Sequence, residues 1–223
     1  MLVVSEGWKA AYPGAAAGVL VMRNAANPDG HAELDRLKGE LESQLRARFA
    51  DRSALRAHPR MQAYETYFKR FKKTYHVFLQ LESVALKGKP IPRVAALVEV
   101  MFMSELKNLL LTAVHDLAAI RGSVRLDVAK GSERYVMLNG QEQELKAGDM
   151  MMADAEGVIS SVIYGPDRRT RVTPDTRQVV FAVYAPPGIG EDAVRRHLED
   201  IRAHVLVVAP DAAVELLEVY GAG

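Results

Sequence analysis

From Lys87 to Asp116 the chain reads KGKPIPRVAALVEVMFMSELKNLLLTAVHD, and this stretch, inside the wider span Lys69 to Gly122, organises the rest. Pro90 and Pro92 fix φ and remove backbone donors, so no helix runs through 87–92 and the chain bends there in extended form. Beyond them Val94, Leu97, Val98, Met101, Phe102, Leu106, Leu109 and Leu110 recur at spacings of three and four. That period predicts a helix starting near Arg93 with an apolar stripe wide enough to be mostly buried. Glu99, Glu105, Lys107, Asn108, Thr112, His115 and Asp116 fall within the same stretch, and polar groups on a buried helix must be paired or exposed. On a 3.6-residue period Glu105, Asn108 and Thr112 share one edge, while Glu99 is turned roughly 600° from Glu105. A site is expected along the 105–112 edge, with His115-Asp116 closing the helix.

The flanking sequence supplies the layers around that helix. Leu2 to Ser5 and Gly18 to Met22 read as strands joined by a turn at Tyr12-Pro13-Gly14. Asn27-Pro28-Asp29-Gly30 is a second turn, and a one-faced surface helix follows over His31 to Phe49 on Leu34, Leu37, Leu41 and Leu45. Asp51-Arg52-Ser53 breaks it; Pro59 suits the first turn of a helix bearing Met61, Tyr64, Phe68 and Phe71, and another spans Tyr75 to Leu86. After Gly122 the period changes to two. Strands are predicted over 124–129, 135–138, 150–153, 158–164 and 178–184, with hairpin turns at Asn139-Gly140 and Asp154 to Gly157. The tail is a helix from Gly190 and then a β-rich end. Helices precede strands rather than alternating with them, which gives an α+β fold of layered helices and antiparallel or mixed sheets.

Composition narrows the chemistry. With 223 residues, 49% of them hydrophobic, one large domain with a real core is expected. The 29 basic and 28 acidic side chains nearly cancel, so any pull on nucleic acid has to come from local clusters. There is no cysteine, which excludes disulfides, thiolate metal sites and cysteine nucleophiles and fits a reducing cytoplasmic setting. No apolar window is long enough to span a membrane, and the six histidines lack metal-ligand spacing; no cofactor, metal or membrane partner is expected.

Two basic clusters stand out. Lys69, Arg70, Lys72 and Lys73 end the helix after Pro59, extended by Lys87 and Lys89, and are either a solvated helix end or a phosphate-binding patch. Arg168, Arg169, Arg171 and Arg177, interleaved with Thr170, Thr173 and Thr176, are either phosphate contacts or a hairpin loop paired with Asp167 and Asp175. His115 beside Asp116 is a general base or a structural histidine, with Asp116 free to cap the next turn. Glu105 either faces a pocket, is salt-bridged to a basic neighbour other than Lys107, or lies on an exposed edge.

KGKPIP, the helix carrying LVE, the segment TAVHDL and the following IRG, then LKAGDMMMADAEGVISS and GPDRRTRVTPDTR, together resemble the tRNA-editing region of the phenylalanyl-tRNA synthetase beta subunit. They are more similar still to its free-standing relatives, often called solo B three/four domains. The resemblance covers roughly Tyr64 to Tyr184 and implies one domain over 1–223, with 1–63 and 185–223 packed on as extensions. It departs from the pattern at Glu105, Leu111, Ala113 and His115, where many relatives have a serine, a proline, a glycine and an aromatic residue.

The resemblance implies a free-standing aminoacyl-tRNA deacylase acting in trans on the ester of mischarged tRNA. Its expected catalytic residues are His115 and Glu105; Asn108, Thr112, Asp116 and Glu99 are expected to bind substrate, and the basic clusters to hold the tRNA. The alternative is a non-catalytic module that binds RNA or an amino-acid-like small molecule in the same cavity.

Overall fold

The computed structural model describes residues 2–223. In chain order its elements are β1 (Leu2–Val4), α1 (Glu6–Ala11), β2 (Ala16–Arg23), α2 (Ala32–Arg48), α3 (Arg52–Ala57), α4 (Pro59–Arg70), α5 (His76–Leu81), α6 (Ala96–Asn108), β3 (Thr112–Asp116), β4 (Val124–Val128), β5 (Arg134–Val136), β6 (Glu142–Glu144), β7 (Met150–Asp154), β8 (Gly157–Ser161), β9 (Gly165–Pro166), β10 (Gln178–Ala185), α7 (Glu191–Val208) and β11 (Ala213–Gly221). A π-helical turn, Glu82–Leu86, continues α5, and a 3-10 turn, Leu117–Ala119, follows β3. The α+β class holds. β11, β2, β10 and β3 form one antiparallel sheet in that order; β1, β4, β7, β8 and β9 form a second, with β1 parallel to β4 and the rest antiparallel. β5 and β6 make the hairpin signalled by Asn139-Gly140.

The first sheet is clad on one face by α7. Gly18 makes that approach possible, since a Cβ built there would lie 2.5 Å from Val194 Cγ1 and 3.0 Å from Leu198 Cδ1. Its other face looks toward the second sheet: Val19, Val21, Val180 and Ala182 meet Leu2, Met152 and Ile159. One apolar cluster reaches from Leu2 to Ala222 and takes in Trp8, Tyr64, Phe78, Leu97 and Phe181.

Three sequence expectations change. The link between β1 and β2 contains the helix α1, capped by Ser5 Oγ accepting from Trp8 N–H at 3.0 Å, and the two strands belong to different sheets. Asp51 both ends α2 and starts the short helix α3, accepting from Ala54 N–H at 2.8 Å. The largest change concerns α6, which begins at Ala96 and ends at Asn108. Leu109 turns into the left-handed region at φ 58°, and Thr112 to Asp116 is a strand. His115 and Asp116 therefore do not close a helix. The apolar run 109–114 fits a buried strand as well as a helix, and periodicity alone does not separate the two.

The start of α6 is held by the turn before α2: Asn27 Oδ1 accepts from Leu97 N–H and Pro28 O from Ala96 N–H, both at 2.9 Å. Glu99 is wholly buried and ion-paired at 2.6 Å to Lys38, itself almost buried on α2, while its other oxygen accepts from Val94 N–H at 2.8 Å. This pair ties α2 to α6. Burial opposes the Lys38 charge, but Asp35 and Glu99 outweigh it and hold the ammonium above its ordinary range.

Removing one partner of such a pair strands a charge in the interior. Lys38→Met is expected to lower unfolding free energy by about 3–5 kcal/mol, and Lys38→Met with Glu99→Leu to recover most of that, measured by urea denaturation. Equal stability of the single variant and the parent would show that the pair contributes nothing.

Candidate functional site

α6 ends beside β3, the edge strand of the first sheet, and the β8–β9 corner lies across from both. Between them is a cavity of about 330 Å³. Met101, Phe102, Val114, Val162 and Val172 give it apolar walls; His76 and Gln80 from α5 and exposed Leu138 complete it, with the exposed Arg171 bringing a positive charge. Such an enclosure, mostly apolar with a few convergent polar groups, is the usual form of a small-ligand site.

Glu105 is the acidic group in its wall. One carboxyl oxygen accepts from Thr112 N–H at 2.7 Å, a contact made possible by the reversal at Leu109. Burial raises the carboxyl to about 8, a rise that this single backbone hydrogen bond only moderates. A carboxyl so displaced, in a cavity, is a candidate for acid or base chemistry. Thr112 and Glu105 are thus brought together as the sequence implied, although through a strand rather than along one helix edge.

The other expected site residues lie elsewhere. His115 is on the opposite face of β3, between the two sheets; its Nδ1 is 2.7 Å from Thr170 Oγ1, and Nε2 has no partner. Burial, aided by Arg169, pushes His115 down to about 4. Asn108 turns toward α7, with Nδ2 donating to Asp200 Oδ2 at 2.8 Å and lying 3.2 Å from His197 Nδ1. Asp116 caps the 3-10 turn through Ala118 N–H at 2.9 Å and accepts from Thr176 Oγ1 at 2.6 Å. Glu99 is engaged by Lys38, away from the cavity. A strand's period of two sends His115 to the face opposite Thr112 and Val114, whereas Asn108 and Glu99 remain on α6 and face α7 and α2.

The basic residues also divide. Arg169 is held inside the fold by Asp154 at 2.8 Å and the Ala119 carbonyl. Arg171 borders the cavity and Arg168 is exposed. Lys73 Nζ sits 5.0 Å from the centre of the Tyr164 ring, next to Gly165 in the cavity wall, and Arg70 lies over Tyr12. Lys69 and Lys87 face Glu65 and Glu82, each at 3.4 Å, Lys72 is exposed, and Lys89 borders a smaller chamber of about 190 Å³ that shares Gln80 and Phe102 with the main one.

Several cavity residues carry no signal in the sequence. Gln80 has a buried Oε1 without a partner, His76 is pushed down to about 4 by burial, and Ser161 donates to the buried Asp149. His197, on α7, is 2.7 Å through Nε2 from Thr112 Oγ1 and braces that corner from behind. All of these are partners across long sequence separations, which no local spacing encodes.

Glu105 makes stability pH-dependent. Its folded value of about 8 lies above the roughly 4.3 of an unfolded glutamate, so between them the native state keeps a proton the unfolded chain has lost. Stability should fall as pH rises through that window and level off above it. Relative to Glu105→Gln, the native chain is expected to lose on the order of 3 kcal/mol between about pH 5 and 9 in urea titrations; parallel curves would show that Glu105 titrates normally.

The family model described as the B3/4 domain matches residues 60–222. The phenylalanine–tRNA ligase beta subunit of Mycoplasma pneumoniae is 38% identical over 69 residues, 31% of this chain and 9% of that protein. Its counterpart in Mycoplasma genitalium is 33% identical over 69 residues, again 31% and 9%. The aligned part thus spans about a tenth of these curated relatives. An N-terminal fragment of the phenylalanyl-tRNA synthetase beta subunit from Pyrococcus horikoshii superimposes with a TM-score of 0.51 at 12% identity, covering 98% of this chain and 53% of that one, a likeness of fold. Since the family model spans residues 60–222, well over half of the sequence, the chain belongs to the B3/4 domain family.

Proposed function

We propose that the chain is a free-standing aminoacyl-tRNA deacylase whose cavity takes the amino-acid part of a mischarged tRNA. The observation that carries this reading is Glu105, a carboxyl raised to about 8 by burial in the wall of an apolar chamber of amino-acid size. Membership of the B3/4 family, and likeness to phenylalanine–tRNA ligase beta subunits, supports an aminoacyl-tRNA as the class of substrate.

In this reading Glu105 in its ionised form takes a proton from water as the water oxygen bonds to the ester carbonyl carbon. The carbon–oxygen bond to the terminal ribose then breaks, and Glu105 returns the proton to the departing ribose oxygen, leaving a free amino acid and an intact tRNA. Arg171 at the cavity, with Arg168 and the Lys73–Tyr164 pair, faces the polyanion. His115, Asn108 and Glu99 act through the fold rather than on substrate, and Asp116 holds the turn after β3.

A second reading has its own support. With His115 and Asn108 outside the cavity, neither of the groups expected to assist Glu105 stands beside it, and Gln80 Oε1 and Glu105 offer acceptors suited to holding an amino group. A binding module for an amino-acid-like molecule would need no more.

Deacylation of a panel of mischarged tRNAs separates the two. The deacylase reading expects hydrolysis of a subset, a rate that rises with pH through about 8, and a fall of about 10²–10⁴-fold in Glu105→Gln. His115→Ala is expected to alter stability far more than the per-site rate. Tight binding of aminoacyl ligands with unchanged ester lifetime would select the binding module.

A further inference from the structure

β3 is the outermost strand of its sheet, and its ladder with β10 fixes which backbone groups it spends there. Leu111 O accepts from Tyr184 N–H at 3.3 Å, and the register pairs Ala113 with Ala182 and His115 with Val180. In an antiparallel ladder alternate residues exchange both backbone bonds with the partner strand. Leu111, Ala113 and His115 therefore point their N–H and C=O groups at β10, and Thr112, Val114 and Asp116 point theirs away from it.

The outward groups at the two ends have partners: Thr112 N–H donates to Glu105 Oε1 at 2.7 Å, and Asp116 N–H to Thr170 O at 2.8 Å. Val114, between them, lies in the cavity wall with Thr112 and Ala113, opposite Gly165, Pro166 and Val172. A backbone N–H and C=O facing an apolar chamber is an incomplete arrangement, because buried peptide groups are nearly always paired.

We propose that the open backbone of Val114 captures the aminoacyl group main chain to main chain, as though the ligand were one residue of an added strand. The Val114 N–H donates to the ester carbonyl oxygen, and the Val114 C=O accepts from the α-ammonium. An α-amino acid ester carries that donor and that acceptor on either side of one carbon, as a strand residue does. The same N–H is placed to stabilise the oxygen when it becomes negative on addition of water, with Glu105 one turn of chain away as the base. Side-chain selection is then left to the apolar walls and the capture of the backbone is common to all substrates.

This inference rests on the cavity being the aminoacyl site, and its test is arranged so that the two can fail separately. Backbone amide exchange by NMR on the free protein is expected to show Val114 exchanging at least about tenfold faster than Ala113 and His115, which are in the ladder. Two non-hydrolysable probes, adenosine carrying L-alanine or L-phenylalanine through a 3′-amide in place of the ester, are then titrated in. At saturation by either, the Val114 amide resonance should shift and its exchange slow.

As the kinetic arm, valine at 114 is replaced by its α-hydroxy acid, which removes the N–H; the Ala113 carbonyl becomes a weaker ester acceptor in the ladder. The same replacement at Asp116, which weakens the His115 carbonyl instead and leaves the Thr112–Glu105 bond intact, serves as the control for that loss. On any ester the native chain hydrolyses, the rate should drop by about 10²-fold relative to that control, with a smaller change in probe affinity. Protection of Val114 by a probe without turnover of any ester would keep the capture and overturn the deacylase reading. Turnover with the Val114 amide undisturbed, or failure of both probes to bind, would overturn the capture.

Discussion

The hydrogen bond from Thr112 N–H to the Glu105 carboxyl, closed by the reversal at Leu109, is the contact on which the rest depends. A leucine with φ of 58° adopts a conformation that favours glycine and costs about 1–2 kcal/mol. The interior accepts that strain because Leu109 is fully buried and its N–H donates to the Glu105 carbonyl at 2.6 Å. In return α6 stops one turn short of where its apolar pattern would carry it. The following residues become a sheet edge, and helix end, edge strand and carboxyl meet around one cavity.

Three buried carboxyls show how environment separates structural from chemical roles. Glu99 has the Lys38 ammonium at 2.6 Å and the Val94 N–H at 2.8 Å, and ties two helices together. Asp149 accepts from Tyr67 Oη at 2.5 Å and from Ser161 Oγ, yet burial still lifts it to about 6. Glu105 has one backbone donor and rises furthest, to about 8. Asp149, with several donors, is raised less than Glu105 with one, and it is the less solvated Glu105 that lines the cavity.

Much of the fold was legible because it is written in local patterns. The 3.6-residue stripes gave α2, α4 and α7, the Gly-containing turns gave the β5–β6 and β7–β8 hairpins, and the order of helices before strands gave the class. The B3/4 family model matches residues 60–222, a longer stretch than the 64–184 that carries the recognised motifs. What failed was the identity of 112–116, where the leucines of 109–111 run into Thr-Ala-Val with no clear period, and with it the place of His115; Asn108 stays on α6 but turns toward α7. Glu105 and Thr112 survived the error since either geometry brings them near one another. His197, Gln80 and the free edge of Val114 had no sequence signal, being products of how distant segments pack.

A row of residues crosses the first sheet from β11 to β3: Val219, Gly18, Val183 and Thr112 stand side by side. α7 lies along this row, close enough to Gly18 that even a methyl group there would displace it, and His197 reaches Thr112 from the same helix. Mutational tolerance around the cavity should therefore not fall off evenly with distance. Substitutions at position 18, two strands from Thr112, would act on the cavity by lifting α7. The positions that drift least over evolutionary time should trace a line across the back of the sheet as well as a ring around its opening.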